Sequence, residues 1–329
     1  MKLVNHPILC NYYLTYRCNA KCSFCDIWEK PSPYITLEDV EANFKDLKKL
    51  GVKVIDFTGG EPLLHREIDK ILVLAKKMGF LTTVTTNCML YPKWAEKIKG
   101  LVDMLHFSLD SSNREEHNKS RGVNCFDFVM DSIQIAKKLG ERPDIIFTVF
   151  DSNMDQIEKI YKRITQPNDL VLILNPAFDY DKIKAGITLN TEQLNELSSW
   201  GSKKNVYLNE AFIELRKNGG NDITKPVCKA ASTTIVISPE NKLILPCYHL
   251  GLEELEINNN LYELYNSSQV QELIKMEGRY KQCEGCTINC YMQPSFSANL
   301  NKYWFYAIPS TIKYNLIKGT WKQLFNNKG

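Results

Sequence analysis

A chain of 329 residues that is 44% hydrophobic and 24% charged has the make-up of an ordinary globular protein, which excludes disordered and collagen-like classes. Its net charge of +3, from 41 Lys+Arg against 38 Asp+Glu, leaves no electrostatic footprint for nucleic acid, and none is expected as a partner. No run approaches the ~18 apolar residues of a membrane span, and the first residues lack a signal-peptide h-region, so a cytoplasmic protein is expected.

An apolar strand over 9–16 leads directly into the loop Cys18-Asn19-Ala20-Lys21-Cys22-Ser23-Phe24-Cys25. Thr36 and Asp39 give a capping signal for a helix to about residue 50, with Gly51 as its stop. A second strand over 52–58 ends at Gly59-Gly60-Glu61-Pro62. The alternation continues with helix 66–78, strand 81–86, helix 92–99, strand 101–108, helix 126–139, strand 144–150, helix 154–164 and strand 170–174. Six strand–helix units predict a parallel sheet with crossover helices, too few for a closed eight-fold barrel. After Pro176 the rhythm breaks into helices over 187–200 and 207–216, a boundary at Gly219-Gly220, a hairpin of 232–238 with 242–245, and a helix over 267–277.

Eleven cysteines in a chain with an ample core do not imply a disulfide framework, so a reduced, metal-binding role is expected for most. Cys10, Cys88 and Cys125 are scattered and read as small buried residues. The C-x-x-x-C-x-x-C loop instead brings three thiolates together. A cubane iron–sulfur cluster usually takes four, so three would leave one iron open to a small molecule. The plainer alternative is a structural zinc knuckle, although such knuckles usually come in pairs. A second set comprises Cys228 and Cys247, flanking the hairpin, and Cys283, Cys286 and Cys290 at C-x-x-C-x-x-x-C spacing. It suits either a four-cysteine zinc site or a further cluster. At later strand ends, Thr148 and Asn175 are candidates to line a substrate cavity, while Thr58 stands just before the Gly59-Gly60-Glu61-Pro62 turn and is a candidate to act with it.

The loop spacing, with aromatic Phe24 before its last cysteine and a strand before its first, resembles the radical S-adenosylmethionine (SAM) superfamily. The resemblance implies an α/β fold, a partial (β/α)6 TIM-type barrel, with Cys18, Cys22 and Cys25 on a 4Fe-4S cluster whose open iron is chelated by SAM. It further implies SAM contacts from Phe24, from the turn Gly59, Gly60 and Glu61 (amino group), from Asn87, from Ser108 and Asp110 (ribose), and from Arg121 (carboxylate). The later cysteines resemble a C-terminal α+β extension of SPASM or twitch type. That extension would hold one auxiliary 4Fe-4S cluster on Cys228, Cys247, Cys283 and Cys286, with Cys290 as an alternative ligand. The organisation expected is a core over 1–180, connecting helices over 181–225, the auxiliary region over 226–295, and a basic aromatic helix over 296–329.

The resemblance also implies the activity. SAM is cleaved reductively to a 5′-deoxyadenosyl radical, which abstracts hydrogen from an unactivated C–H bond of a small molecule or peptide. Net oxidation or crosslinking would follow, with the auxiliary cluster as electron acceptor and a flavodoxin- or ferredoxin-type protein as donor. Radical addition or carbon transfer on a lipid or isoprenoid-type substrate is the rival enzymatic reading, and a non-enzymatic metal-binding protein is the other. Few residues precede Cys10, so a peptide-binding winged domain is not expected there.

From 285 to 329 there are five lysines and no acid. Tyr314, Ile317, Trp321, Leu324 and Phe325 share one helical face, flanked by Lys313 and Lys318. That face is expected to pack on the barrel or on a second subunit. The alternative is an interfacial helix giving peripheral membrane contact.

Overall fold

The computed structural model describes residues 3–4, 6–178 and 189–319. Six strands, β1 (Leu9–Thr15), β2 (Val54–Gly59), β3 (Leu81–Thr86), β4 (Met104–Ser108), β5 (Asp144–Val149) and β6 (Val171–Pro176), pair in parallel and in chain order. The crossovers are α1 (Leu37–Lys49), α2 (Ile68–Lys77), α3 (Tyr91–Ile98), α4 (Arg114–Arg121) with α5 (Phe126–Lys138), and α6 (Gln156–Ile160) running into a π-helical turn at Tyr161–Thr165. Thr36 caps α1 by accepting from the Asp39 N–H, the local event its sequence signals.

Strand residues alternate cleanly between two environments. Cys10, Tyr12, Leu14, Ile55 and Phe57 are fully buried against the helices. Asp56, Thr58, Thr85 and Thr148, on the opposite face, keep partial accessibility although their strands are central. The concave face therefore keeps partly accessible polar side chains at these positions, beside buried ones such as Asn11 and Thr83. Register sets its layers: Asn11 pairs with Asp56 and Asp56 with Thr83, while Thr85 pairs with His106 and His106 with Asp144.

The sheet does not stop at the sixth strand. After α7 (Thr191–Gly201), a two-residue β7 (Val206–Tyr207) extends it beyond β6, and α8 (Glu210–Lys217) follows. At the other edge, α9 (Ala230–Thr233) leads into β8 (Thr234–Ile237), which pairs in parallel with β1. β9 (Lys242–Leu245) and β10 (Glu253–Glu256) then add antiparallel strands, giving a sheet of ten strands among the described residues. The hairpin expected around 232–245 is thus continuous with the core sheet, and the expected border at 226 falls just before a strand that joins β1. Helices α10 (Leu261–Asn266), α11 (Ser268–Lys275), α12 (Asn289–Ala298) and α13 (Lys302–Lys318) complete the described chain.

The expected apolar face of the last helix turns inward as far as it is described. Tyr314 is buried and donates to Asp144 Oδ2 at 2.6 Å, and Ile317 packs beside it on Val171, Ile173 and Tyr207. Lys318 donates to Asp144 Oδ1 (2.9 Å) and the Arg142 carbonyl (2.6 Å), and Lys313 donates to the carbonyls of Gly201 and Lys203. These two lysines are spent on the barrel floor rather than displayed. Trp321, Leu324 and Phe325 lie outside the described residues. The exposed apolar side is a different one, carrying Phe305, Ile312 and Leu316.

Candidate functional site

The three-cysteine loop leaves the carboxyl end of β1, the end at which parallel α/β sheets bind ligands. Backbone contacts pin it to α4: Lys21 N–H donates to the Arg121 carbonyl (2.9 Å) and Ser23 N–H to that of Ser120 (3.0 Å). Asn87, at the end of β3, donates from Nδ2 to Asn19 Oδ1 at 2.7 Å and so fixes the loop from the other side. Burial pushes the Cys18 thiol up to about 12 and that of Cys25 to about 11, and raises Cys22 as well. Left to themselves these thiols stay protonated, and a bound metal is what turns them into thiolates. Among the described residues no three Cys, His or carboxylate side chains close on one point as they would around a single ion.

The Gly59-Gly60 turn has a sharper cause than ligand access. A Cβ on Gly59 would lie 2.1 Å from the Thr15 carbonyl oxygen, and one on Gly60 would lie 2.1 Å from that of Arg17. Gly60 N–H donates to Thr15 O (2.8 Å) and Glu61 N–H to Arg17 O (2.9 Å). The glycines therefore let the end of β2 lie flat against the exit of β1, where the cysteine loop begins. The Glu61 carboxylate turns inward, accepting from Leu63 N–H (3.0 Å), Thr86 Oγ1 (2.9 Å) and Asn87 N–H (2.9 Å). Burial raises its pKa to about 7 despite these donors. Its side chain is a staple between β2 and β3, so only the backbone of this turn is left to face a ligand.

Asp110 and Arg121, assigned by resemblance to ribose and carboxylate, hold each other. Arg121 Nη2 donates to Asp110 Oδ1 at 2.8 Å, and Nε lies 2.6 Å from Oδ2. Ser120 Oγ adds a bond to Oδ2 (3.2 Å). The pair is buried, and the neighbouring Asp110 carboxylate keeps Arg121 charged against the cost of burial. Arg121 Nη1 also points at Cys22 Sγ (3.8 Å), and its guanidinium covers the Phe24 ring at 5.3 Å. The cation thus sits between the loop and α4. Ser108 faces the lumen one layer below, on β4.

In the second set, Cys228, Cys247, Cys283 and Cys286 line one small pocket together with Pro246, Tyr291 and Met292. Cys290 is not part of that lining. It is accessible, and desolvation by the surrounding protein pushes its thiol well up. Asn289 places it by donating to Asn175 Oδ1 (2.7 Å) and the Pro176 carbonyl (2.6 Å) at the end of β6.

Sequence reasoning missed Asn221, which reads as a turn residue after two glycines. It is buried and organises the pocket. Nδ2 donates to the carbonyls of Gly278 (2.8 Å) and Cys283 (3.1 Å), and Oδ1 accepts from Val227 and Cys228 N–H. It joins the Cys228 arm to the C-x-x-C knuckle. Three polar residues beside one another on the lumen wall were also missed, because a strand interior gives no motif: Asn11, Asp56 and Thr83. Thr83 donates to the Asp56 carboxylate, yet burial still pushes that carboxyl from 3.8 to about 6.

A carboxyl whose folded pKa exceeds its unfolded value favours folding while protonated, so this contribution is present below pH 3.8 and is lost as pH rises through about 6. In apoprotein, urea midpoints should fall over that window in the parent chain and fall less in Asp56→Asn. Equal slopes would show that Asp56 does not carry the effect.

The family model described as the Radical SAM superfamily matches residues 12–164. The chain is 27% identical over 279 residues to a probable GTP 3',8-cyclase of Sulfurisphaera tokodaii, covering 80% of this chain and 88% of that one. It is 35% identical over 152 residues to a probable GTP 3',8-cyclase of Saccharolobus islandicus, where the match covers 44% of this chain and 49%, about half, of the relative. A solved structure of anSMEcpe with bound AdoMet and a peptide superposes with a TM-score of 0.63 at 18% identity, covering 95% of this chain and 99% of that one, a likeness of fold. The family match runs from within β1 to the π-helical turn that follows β5 and takes in both the three-cysteine loop and the Gly59-Gly60 turn, so residues 12–164 have the sequence character of a radical SAM superfamily core.

Proposed function

We propose that this protein abstracts hydrogen from an unactivated C–H bond of a substrate held in the barrel lumen, and completes a net oxidation or crosslink with an auxiliary cluster. When bound, SAM on the first cluster supplies a 5′-deoxyadenosyl radical and the auxiliary cluster an electron acceptor. Cys18, Cys22 and Cys25 would hold the first cluster, and Cys228, Cys247, Cys283 and Cys286 the second. The observation that carries this reading is where the second thiol set is anchored. Asn289, beside Cys290, donates to Asn175 Oδ1 and the Pro176 carbonyl at the carboxyl end of β6, the same end of the sheet at which the three-cysteine loop leaves β1. Phe24, Asn87, Ser108 and the Gly59-Gly60 backbone would position SAM, and the Asp110–Arg121 pair would place a fixed cation beside the loop.

The lumen favours some substrates over others. The described residues of β1–β6 include no Lys or Arg, and Asp56 contributes a carboxylate. A triphosphate asks for guanidinium or ammonium groups, so the lumen suits a small molecule or peptide with neutral or cationic groups better than GTP. Anaerobic reconstitution followed by SAM and dithionite should release 5′-deoxyadenosine, with GTP giving no stimulation. A filled cluster without 5′-deoxyadenosine would refute the enzymatic reading, and stimulation by GTP would refute the lumen argument.

Among the described residues no helix is long and apolar enough to cross a membrane. For peripheral contact, the side of α13 that carries Phe305 and Leu316, 63% and 67% exposed, offers an apolar face to a lipid surface. Phe305→Ser with Leu316→Ser, which spares the barrel floor, should reduce recovery with phosphatidylserine vesicles on flotation. Equal recovery would end the membrane reading.

A further inference from the structure

We propose that Arg216 is the counter-charge of the auxiliary cluster and sets its redox potential; the inference rests on the four-thiolate reading above. Arg216 leaves α8 and ends among neutral acceptors. Nη1 donates to the Phe212 carbonyl at 3.2 Å. Nη2 lies within reach of the carbonyls of Pro176 (3.1 Å), Ala177 (3.0 Å) and Thr287 (3.4 Å), and of Asn289 Oδ1 (3.1 Å). No carboxylate is paired with it among the described residues, whereas Arg121, the other guanidinium held this firmly inside the protein, has Asp110.

Carbonyl dipoles orient a guanidinium without neutralising it, and removing such a charge from water is costly unless an anion compensates. Cys286, the residue before one of its carbonyl partners, lines the auxiliary pocket and as a cluster-bound thiolate would supply that anion. Thr287, the next residue, supplies one of the carbonyls, so the cation is anchored to the cysteine knuckle itself. A cubane on four thiolates is a net anion, and gaining an electron makes it more negative. A fixed cation at its edge stabilises the reduced form more than the oxidised form and raises the potential. That would make the auxiliary cluster a better acceptor for an electron leaving a substrate radical.

A clamp made only to join α8 to β6 and α12 would need the donors but not the charge, and two substitutions separate these roles. Arg216→Gln keeps a donor and removes the charge, while Arg216→Lys keeps the charge and removes the planar fork. Both are made in the full chain carrying Cys18→Ala, Cys22→Ala and Cys25→Ala, so that one cluster remains. Midpoint potentials are then read by titration followed by electron paramagnetic resonance. The expected result is a more negative potential for Arg216→Gln and a potential near the parent for Arg216→Lys. An unchanged potential in Arg216→Gln, equal shifts in both, or loss of iron from both would overturn the proposal. A parent chain that binds no iron would instead overturn the four-thiolate reading itself.

Discussion

Alanine at Cys18, Cys22 and Cys25 together is expected to abolish 5′-deoxyadenosine release while about four irons per chain remain, against about eight in the parent. The loop is held by backbone bonds to α4 and by Asn87 to Asn19, none of which uses a cysteine side chain, so the fold should survive. The four-thiol pocket lies on separate elements and should still fill. Iron and sulfide assays with chromatography of the nucleoside products check both halves. Residual cleavage of SAM would place the reactive site elsewhere.

The second large effect concerns the buried ion pair. Asp110→Ala removes the carboxylate that Arg121 contacts at 2.8 and 2.6 Å and leaves a buried guanidinium without compensation. Breaking a pair of this kind costs about 3–5 kcal/mol, and here the orphaned cation lies beside Cys22. Loss of stability in urea should therefore come with weaker SAM binding, measured by equilibrium dialysis. Replacing both partners, Asp110→Leu with Arg121→Met, should recover much of the stability but not the SAM binding. Recovery of both would show that Arg121 has no role beyond the pair.

Much of the core was legible because its signals are local. β3 spans Leu81–Thr86, as its β-branched run predicts, and Thr36 and Gly51 bracket α1 as caps do. The parts that were not legible depend on contacts far apart in sequence. α4 escaped notice because Arg114–Arg121 is polar almost all round and buries only His117 and Arg121, so it shows no apolar period. Without that helix, Asp110 and Arg121 look like two ligands of a cofactor rather than partners of each other. The pairing of β8 with β1 joins residues more than two hundred positions apart, and nothing in the hairpin's own sequence announces it. Asn221 and Arg216 are invisible for the same reason, since their partners are backbone groups of distant segments. The glycines of the second strand end were legible as necessary, but the carbonyls that demand them belong to Thr15 and Arg17.

Two thiol sets of unequal number are the core of the account: three that leave a place for SAM and four that leave none. Electron paramagnetic resonance of the dithionite-reduced, reconstituted chain, recorded with and without SAM, tests this directly. The account predicts two cluster signals of which SAM perturbs one, with the SAM-insensitive signal alone remaining when Cys18, Cys22 and Cys25 are alanine. A single signal that disappears in that variant, or a protein that takes up zinc at both sites and shows no signal, would contradict it.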